Sequence, residues 1–158
     1  MLKRTHISIA FAVGFCALAL AATAGAAVRT SSTTGLLQAV NRARVTYGLK
    51  PLRIDSTLVR AARSHSLSML RGNYFAHGAF HNRMVAFHVV GPTAGENLAW
   101  GNGVYAQPAE IVQEWLASPE HRANLLRPGF TRIGIGIVSG TFLGNGGAAV
   151  VTADFAGR

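Results

Sequence analysis

From residue 36 onward, apolar positions recur every three or four residues. Leu36, Leu37, Val40 and Ala43 line one face of a helix that Thr33 or Thr34 caps and Gly48 closes. Pro51 interrupts helix, so residues 50–54 are expected to be extended. Asp55 caps a second helix over residues 56–71, ended by Gly72, with Leu58, Ala62, His65 and Met69 in one stripe. Residues 73–79 read as loop, 80–87 as a short helix, Gly91-Pro92 as a turn and 95–103 as irregular, glycine-bounded chain. Pro108 starts another helix with Ile111, Val112, Trp115 and Leu116 on its apolar face, and Ser118-Pro119 opens the next. The period then changes. Ile133, Ile135 and Ile137 alternate with Gly134, Gly136 and Val138. Gly144-Asn145-Gly146-Gly147 turns, and residues 148–155 return as an antiparallel strand. Helices first and a strand hairpin last imply an α+β fold with helices packed on a sheet.

Residues 1–26 have the pattern of an export signal: a positive start (Lys3, Arg4), an uncharged apolar run over 7–20, then small residues. Cleavage is expected after Ala24 or Ala26, with Ala27 also fitting. An uncleaved anchor is the alternative, but the Ala and Gly at the end of the run favour cleavage. Residues 27–35 form a short polar linker and 36–158 one domain, with no membrane-spanning segment after the signal. Cys16, the only cysteine, sits inside the apolar run after Phe15, too large for a lipid-anchor signal, so it leaves with the signal. A thiol-free exported domain suits a bacterium better than a eukaryotic secretory route. A secreted or envelope-associated location follows.

Without Lys3 and Arg4, thirteen basic residues face six acidic ones, a net charge of +7. Arg42, Arg44, Arg53, Arg60, Arg63, Arg71, Arg83, Arg122, Arg127 and Arg132 are spread along the chain without aromatic interleaving, so no specific nucleic-acid site is indicated. The surplus suits attraction to anionic envelope or lipid. Nothing specifies a dimer, and a monomer is expected.

Three stretches carry candidate chemistry: Tyr74-Phe75-Ala76-His77, then Gly95-Glu96-Asn97-Leu98-Ala99-Trp100-Gly101, then residues 115–126 with Ser118-Pro119-Glu120-His121-Arg122 and Asn124. With acids so scarce, Glu96 in an apolar stretch stands out, because a carboxylate is rarely buried without a partner. Together with Val40-Asn41-Arg42-Ala43-Arg44, Leu58–Ser66 and Ile133-Gly134-Ile135-Gly136, the ordered set resembles the CAP superfamily (SCP domain; cysteine-rich secretory, venom allergen and plant pathogenesis-related proteins), closest to its short bacterial branch. The resemblance covers roughly residues 36–155. It implies an α-β-α sandwich with a small antiparallel sheet between helical layers, and a cleft of two histidines and two glutamates. His77, Glu96 and His121 match three of these, with Asn97, Ser118 and Asn124 as supports. The other glutamate is expected between His77 and Glu96, where no acidic residue occurs.

Two imidazoles and a carboxylate suit Zn²⁺ or a similar divalent ion, with His77, His121 and Glu96 as ligands. Alternatively Glu96 fixes an imidazole tautomer. His77 and His81 have the spacing of a zinc-protease helix, but Gly78 stands where the general base belongs. Ser118 reads as a helix cap rather than a nucleophile. His81 and His88 read as surface residues, His65 as a satisfied core residue, and Trp100 and Trp115 as core or cleft wall. The resemblance favours a non-enzymatic module for a lipid or envelope ligand, family members being described as binding sterols or fatty acids. The alternative is a metal-assisted hydrolase of peptide or cell-wall bonds. Either reading expects the three side chains to share one solvent-open hollow.

Overall fold

The computed structural model describes residues 32–157. The expected signal, Cys16 and most of the linker lie outside them. The Ser32 hydroxyl accepts from the Gly35 amide and starts α1 (Thr33–Thr46). Asn41 on α1 grips the following extended segment from both sides: its Nδ2 donates to the Leu52 carbonyl and its Oδ1 accepts from the Leu52 amide, at 3.0 and 2.8 Å. That segment contributes the two-residue β1 (Arg53–Ile54). Asp55 accepts from the Thr57 and Leu58 amides and caps α2 (Ser56–Gly72), which Asn73 ends in the left-handed region. Then come α3 (Phe80–Ala86), β2 (Ala94–Gly101), a 3-10 turn (Gly103–Ala106), α4 (Pro108–Ala117), α5 (Pro119–Leu125), β3 (Phe130–Phe142) and β4 (Asn145–Gly157).

The sheet order is β1-β3-β4-β2. It is antiparallel except for β1, which runs parallel to β3. The expected hairpin is present, but its turn is tighter than the glycine run suggested. Phe142 pairs with Asn145 across Leu143-Gly144, both at positive φ, as a two-residue primed turn requires. Asn73 accepts from the Leu143 amide and ties the end of α2 to the hairpin tip.

Residues 95–103 depart from expectation, since most of them form β2. Its polar residues hid the strand pattern, each being satisfied by a partner distant in sequence. On one face of the sheet, α1, α4 and α5 pack through Leu36, Val40, Ile111, Trp115 and Leu125 against Ile133, Ile135, Val151 and Phe155. On the other, α2 packs through Leu58 and Met69, with Met84 of α3 beside it. The result is an α-β-α sandwich.

The Ile-Gly repeat explains the spacing of these layers. Ile133 and Ile135 enter the α1/α4/α5 core, while Gly134 and Gly136 face α2. A Cβ on Gly134 would fall within the backbone of Leu58 and Val59, and one on Gly136 within that of Ala62 and Arg63. Every fourth helix residue rises about 6 Å and every second strand residue nearly 7 Å, so Leu58 and Ala62 stay in register with these glycines. The Ser66 hydroxyl donates to the Gly136 carbonyl at 3.1 Å.

Arg44 corrects the picture of a uniformly superficial basic set. It is 1% exposed and carries no carboxylate partner among the described residues. Its guanidinium donates to the carbonyls of Lys50, Leu125, Arg127 and Phe130 at 2.8 to 3.2 Å, joining α1 to the α5–β3 connection.

Gly136→Ala is expected to cost at least about 3 kcal/mol, because backbone rather than a flexible side chain must yield. Gly146→Ala, which meets open space, is the control. Urea unfolding of both variants checks this; equal stabilities would show that α2 does not rest on the strand.

Candidate functional site

Glu96 and Asn97 are consecutive on β2 and point to opposite faces of the sheet. On the α2 side, the Glu96 side chain is 2% exposed. His77, in the loop after α2, donates Nδ1–H to Glu96 Oε1 at 2.7 Å. Arg83 of α3 donates to Oε2. His65 of α2 stands 3.8 Å from Oε2 and gives its Nε2–H to the Ala76 carbonyl at 3.0 Å. The satisfied core histidine expected on α2 is therefore also a neighbour of Glu96.

Asp154 is fully buried on β4 directly across from Glu96. Arg83 lies 3.8 Å from its Oδ1, and neither oxygen has a hydrogen-bond partner among the described residues. Burial pushes the Glu96 carboxyl up to about 7, with the Arg83 guanidinium pulling against it. Burial, then the Glu96 charge, raises Asp154 well above the usual carboxylate range. Two carboxyls served by one guanidinium thus retain a proton between them. Burial, then the Arg83 charge, lowers His65 to about 4, so its imidazole is neutral.

On the other side of β2, Asn97 donates to the His121 carbonyl at 2.9 Å. Asn124 donates to the Glu96 carbonyl and to Asn97 Oδ1, at 3.0 and 3.1 Å. Trp115 gives its indole N–H to the Leu98 carbonyl at 2.9 Å. These bonds fasten the outer edge of β2 to α4 and α5. Beside this edge lies a cavity of about 620 Å³, walled by Phe75, Leu98, Trp100, Tyr105, Ile111 and Trp115. Ser118 and His121 line it too. Ser118 occupies the N-cap position of α5, yet its hydroxyl makes no capping bond. Burial, then the His77 charge, holds the His121 imidazole below its usual value.

The structure therefore joins His77 directly to Glu96 and brings His121 within electrostatic reach of His77, but only His121 lines the cavity. Glu96 lies behind His77 and Arg83, with its side chain 2% exposed, while the His77 side chain is 56% exposed. His81 and His88 are exposed, as expected.

The divalent ion implied by the resemblance does not fit this donor set. Both Glu96 oxygens already face hydrogen-bond donors, and Arg83 supplies the positive charge a metal would bring. Among the described residues no group of three or more His, Cys, Asp or Glu is placed to hold a metal. Arg83 and Asp154 escaped sequence reasoning. Arg83 was one scattered arginine among many, and Asp154 lay in an apolar strand distant from every motif. The signal available was the rule that a buried carboxylate needs a partner.

The sequence profile of the family described as "Cysteine-rich secretory protein family" (CAP) matches residues 37–155. The chain belongs to the CAP family. Among relatives, Bacillus subtilis (strain 168) YkwD is 42% identical over 108 residues, covering 65% of this chain and 41% of the relative. YlbC of the same strain, described as a membrane protein, is 34% identical over 115 residues, covering 70% and 32%. The chain thus spans less than half the length of either. A solved extracellular SCP-domain protein of Bacillus anthracis superposes with a TM-score of 0.67 at 28% identity, over 79% of this CAP chain and 40% of that one.

Stability should fall as pH rises through neutrality. Between about 4.5 and 7, folded Glu96 keeps a proton that the unfolded chain releases, so rising pH favours unfolding. Between about 4 and 6.5, unfolded His65 takes a proton that the folded one refuses, giving the opposite slope. The two offset each other up to about 6.5, above which the carboxyl pair acts alone. Tm is expected to drop a few degrees between about pH 6.5 and 8.5, and Asp154→Asn to flatten the drop. A level or rising Tm in the parent protein would remove the shared proton.

Zinc titration tests the donor set. Calorimetric heats for the parent, Glu96→Gln and, as a probe of the second imidazole, His121→Ala should coincide. A heat lost with Glu96→Gln would restore the carboxylate as a ligand.

Proposed function

We propose that this CAP domain is an exported, non-enzymatic binding module for an apolar lipid or envelope ligand, held in the cavity between the outer edge of β2 and α4. The observation that carries this reading is the wall of that cavity. Its volume is in the range of small-molecule sites, and an aromatic and aliphatic wall is accompanied by polar groups that include Glu110 and Glu114. Phe75 and Tyr105 remain 42% and 68% exposed there, a large apolar area left uncovered.

A hydrolase is the second reading; its metal-assisted form loses its metal with the donor set above, and one contact speaks for a triad form. The His77–Glu96 pair resembles the base and orienting carboxylate of a hydrolytic triad. The nucleophile is what fails: the Ser118 hydroxyl makes no hydrogen bond to either imidazole among the described residues.

Mass spectrometry of material retained from an envelope lipid extract tests the binding reading. The parent protein should retain lipid, and Ser118→Trp, which fills the cavity from a position making no capping bond, should lose most of it. Equal retention by both, or none by either, would remove the cavity as the binding site. Turnover of peptides or muropeptides that disappears in both His121→Ala and Glu96→Gln would decide for the hydrolase.

A further inference from the structure

We infer that the cavity selects amphiphiles whose apolar body carries an ammonium head, and that Glu110 and Glu114 are the residues that recognise the head. The inference rests on the binding reading above and names the ligand class.

Glu110, Ile111, Glu114 and Trp115 fall at helical neighbour spacing on α4, and all four line the cavity. Two of the six acidic residues of a strongly basic chain thus stand at one cavity. No Lys or Arg lines it. Neither glutamate's carboxylate takes part in an ion pair or hydrogen bond among the described residues, whereas Asp55 and Glu96 are both paired with arginine. Like charges four residues apart on a helix repel each other, so the pair is relieved by a cation from outside.

The aromatic wall adds a second attraction for the same charge. Ring faces draw cations, ammonium groups among them. The protein's own arginines stack on Phe80, Tyr47 and Phe130, not on the cavity rings Phe75, Trp100, Tyr105 or Trp115. An alkyl carboxylate would gain the apolar wall but meet two carboxylates at the rim. An alkyl alcohol would gain the wall alone. The alkylammonium gains both.

Both tryptophans of the chain line the cavity, so intrinsic fluorescence reports its occupancy. The probes are octyltrimethylammonium, octanoate and octanol, each below its micellar concentration at low salt, with a Phe-Lys dipeptide amide as the peptide arm. Octyltrimethylammonium should bind at least about tenfold more tightly than octanoate. The preference should collapse in Glu110→Gln/Glu114→Gln and persist in Glu120→Gln, whose glutamate is exposed outside the cavity. Equal or tighter octanoate binding, or a preference that survives the double substitution, would overturn the ammonium assignment and leave the binding reading standing. Tighter binding of the dipeptide than of octyltrimethylammonium would also overturn it, in favour of a peptide. No response to any probe would overturn both readings.

Discussion

Glu96 projects from β2 into the layer between the sheet and α2, where its charge loses almost all hydration. An unpaired ion there would cost several kcal/mol. The fold supplies compensation from two sequence-distant places: Arg83 from α3 and His77 from the loop behind α2. The loop over residues 73–79 is exposed throughout, and α3 adds Met84 and part of Phe80 to the core beside Leu58. The loop's contact with Glu96 through His77 therefore contributes much of what fixes it against the sheet. Arg83 reinforces this by donating to the His77 carbonyl at 3.4 Å while stacking on Phe80.

The same strand meets a different demand on its outer edge. An unpaired edge exposes backbone groups to chance pairing with other chains. Here Asn124 and the Trp115 indole take the carbonyls of Glu96 and Leu98. These bonds hold α4 and α5 beside the edge, where the Trp115 ring also forms cavity wall. Strand β2 thus separates a charged, closed cluster from an apolar, open cavity. His77 and His121 mark where the two meet.

Much of the fold was legible because it is local. Asp55 caps α2 as expected, Ser32 rather than Thr33 or Thr34 caps α1, and the Ile-Gly alternation announced the hairpin strand, though not how closely α2 lies on its glycines. Strand β2 was not legible. Its sequence, Gly-Glu-Asn-Leu-Ala-Trp, shows no alternation because Glu96 and Asn97 are satisfied by Arg83, His77, Asn124 and the His121 carbonyl, all contributed by tertiary structure. Arg44 shows the same limit. Nothing in its neighbours distinguishes it from the exposed Arg42, yet four backbone carbonyls converge on it. His77, Glu96 and His121 could be named from motif spacing. That Glu96 would be closed off and His121 open to the cavity depended on the position of α3, which no motif encodes.

A carboxyl titrating near 7 beside an imidazole is the kind of pair from which catalysis is often built, and the perturbation alone would invite that conclusion. Access limits what Glu96 itself can do. A general base must reach the proton it removes, and Glu96, at 2% exposure with both oxygens occupied, reaches only His77 and Arg83. The His77 side chain is 56% exposed, and among the described residues no hydroxyl is hydrogen-bonded to it. Asp154 further removes the cluster from chemistry. A second carboxyl holding a shared proton behind Glu96 compensates burial while adding nothing that touches the cavity. The raised carboxyl is thus explained as the cost of sealing a charge into the layer between the sheet and α2.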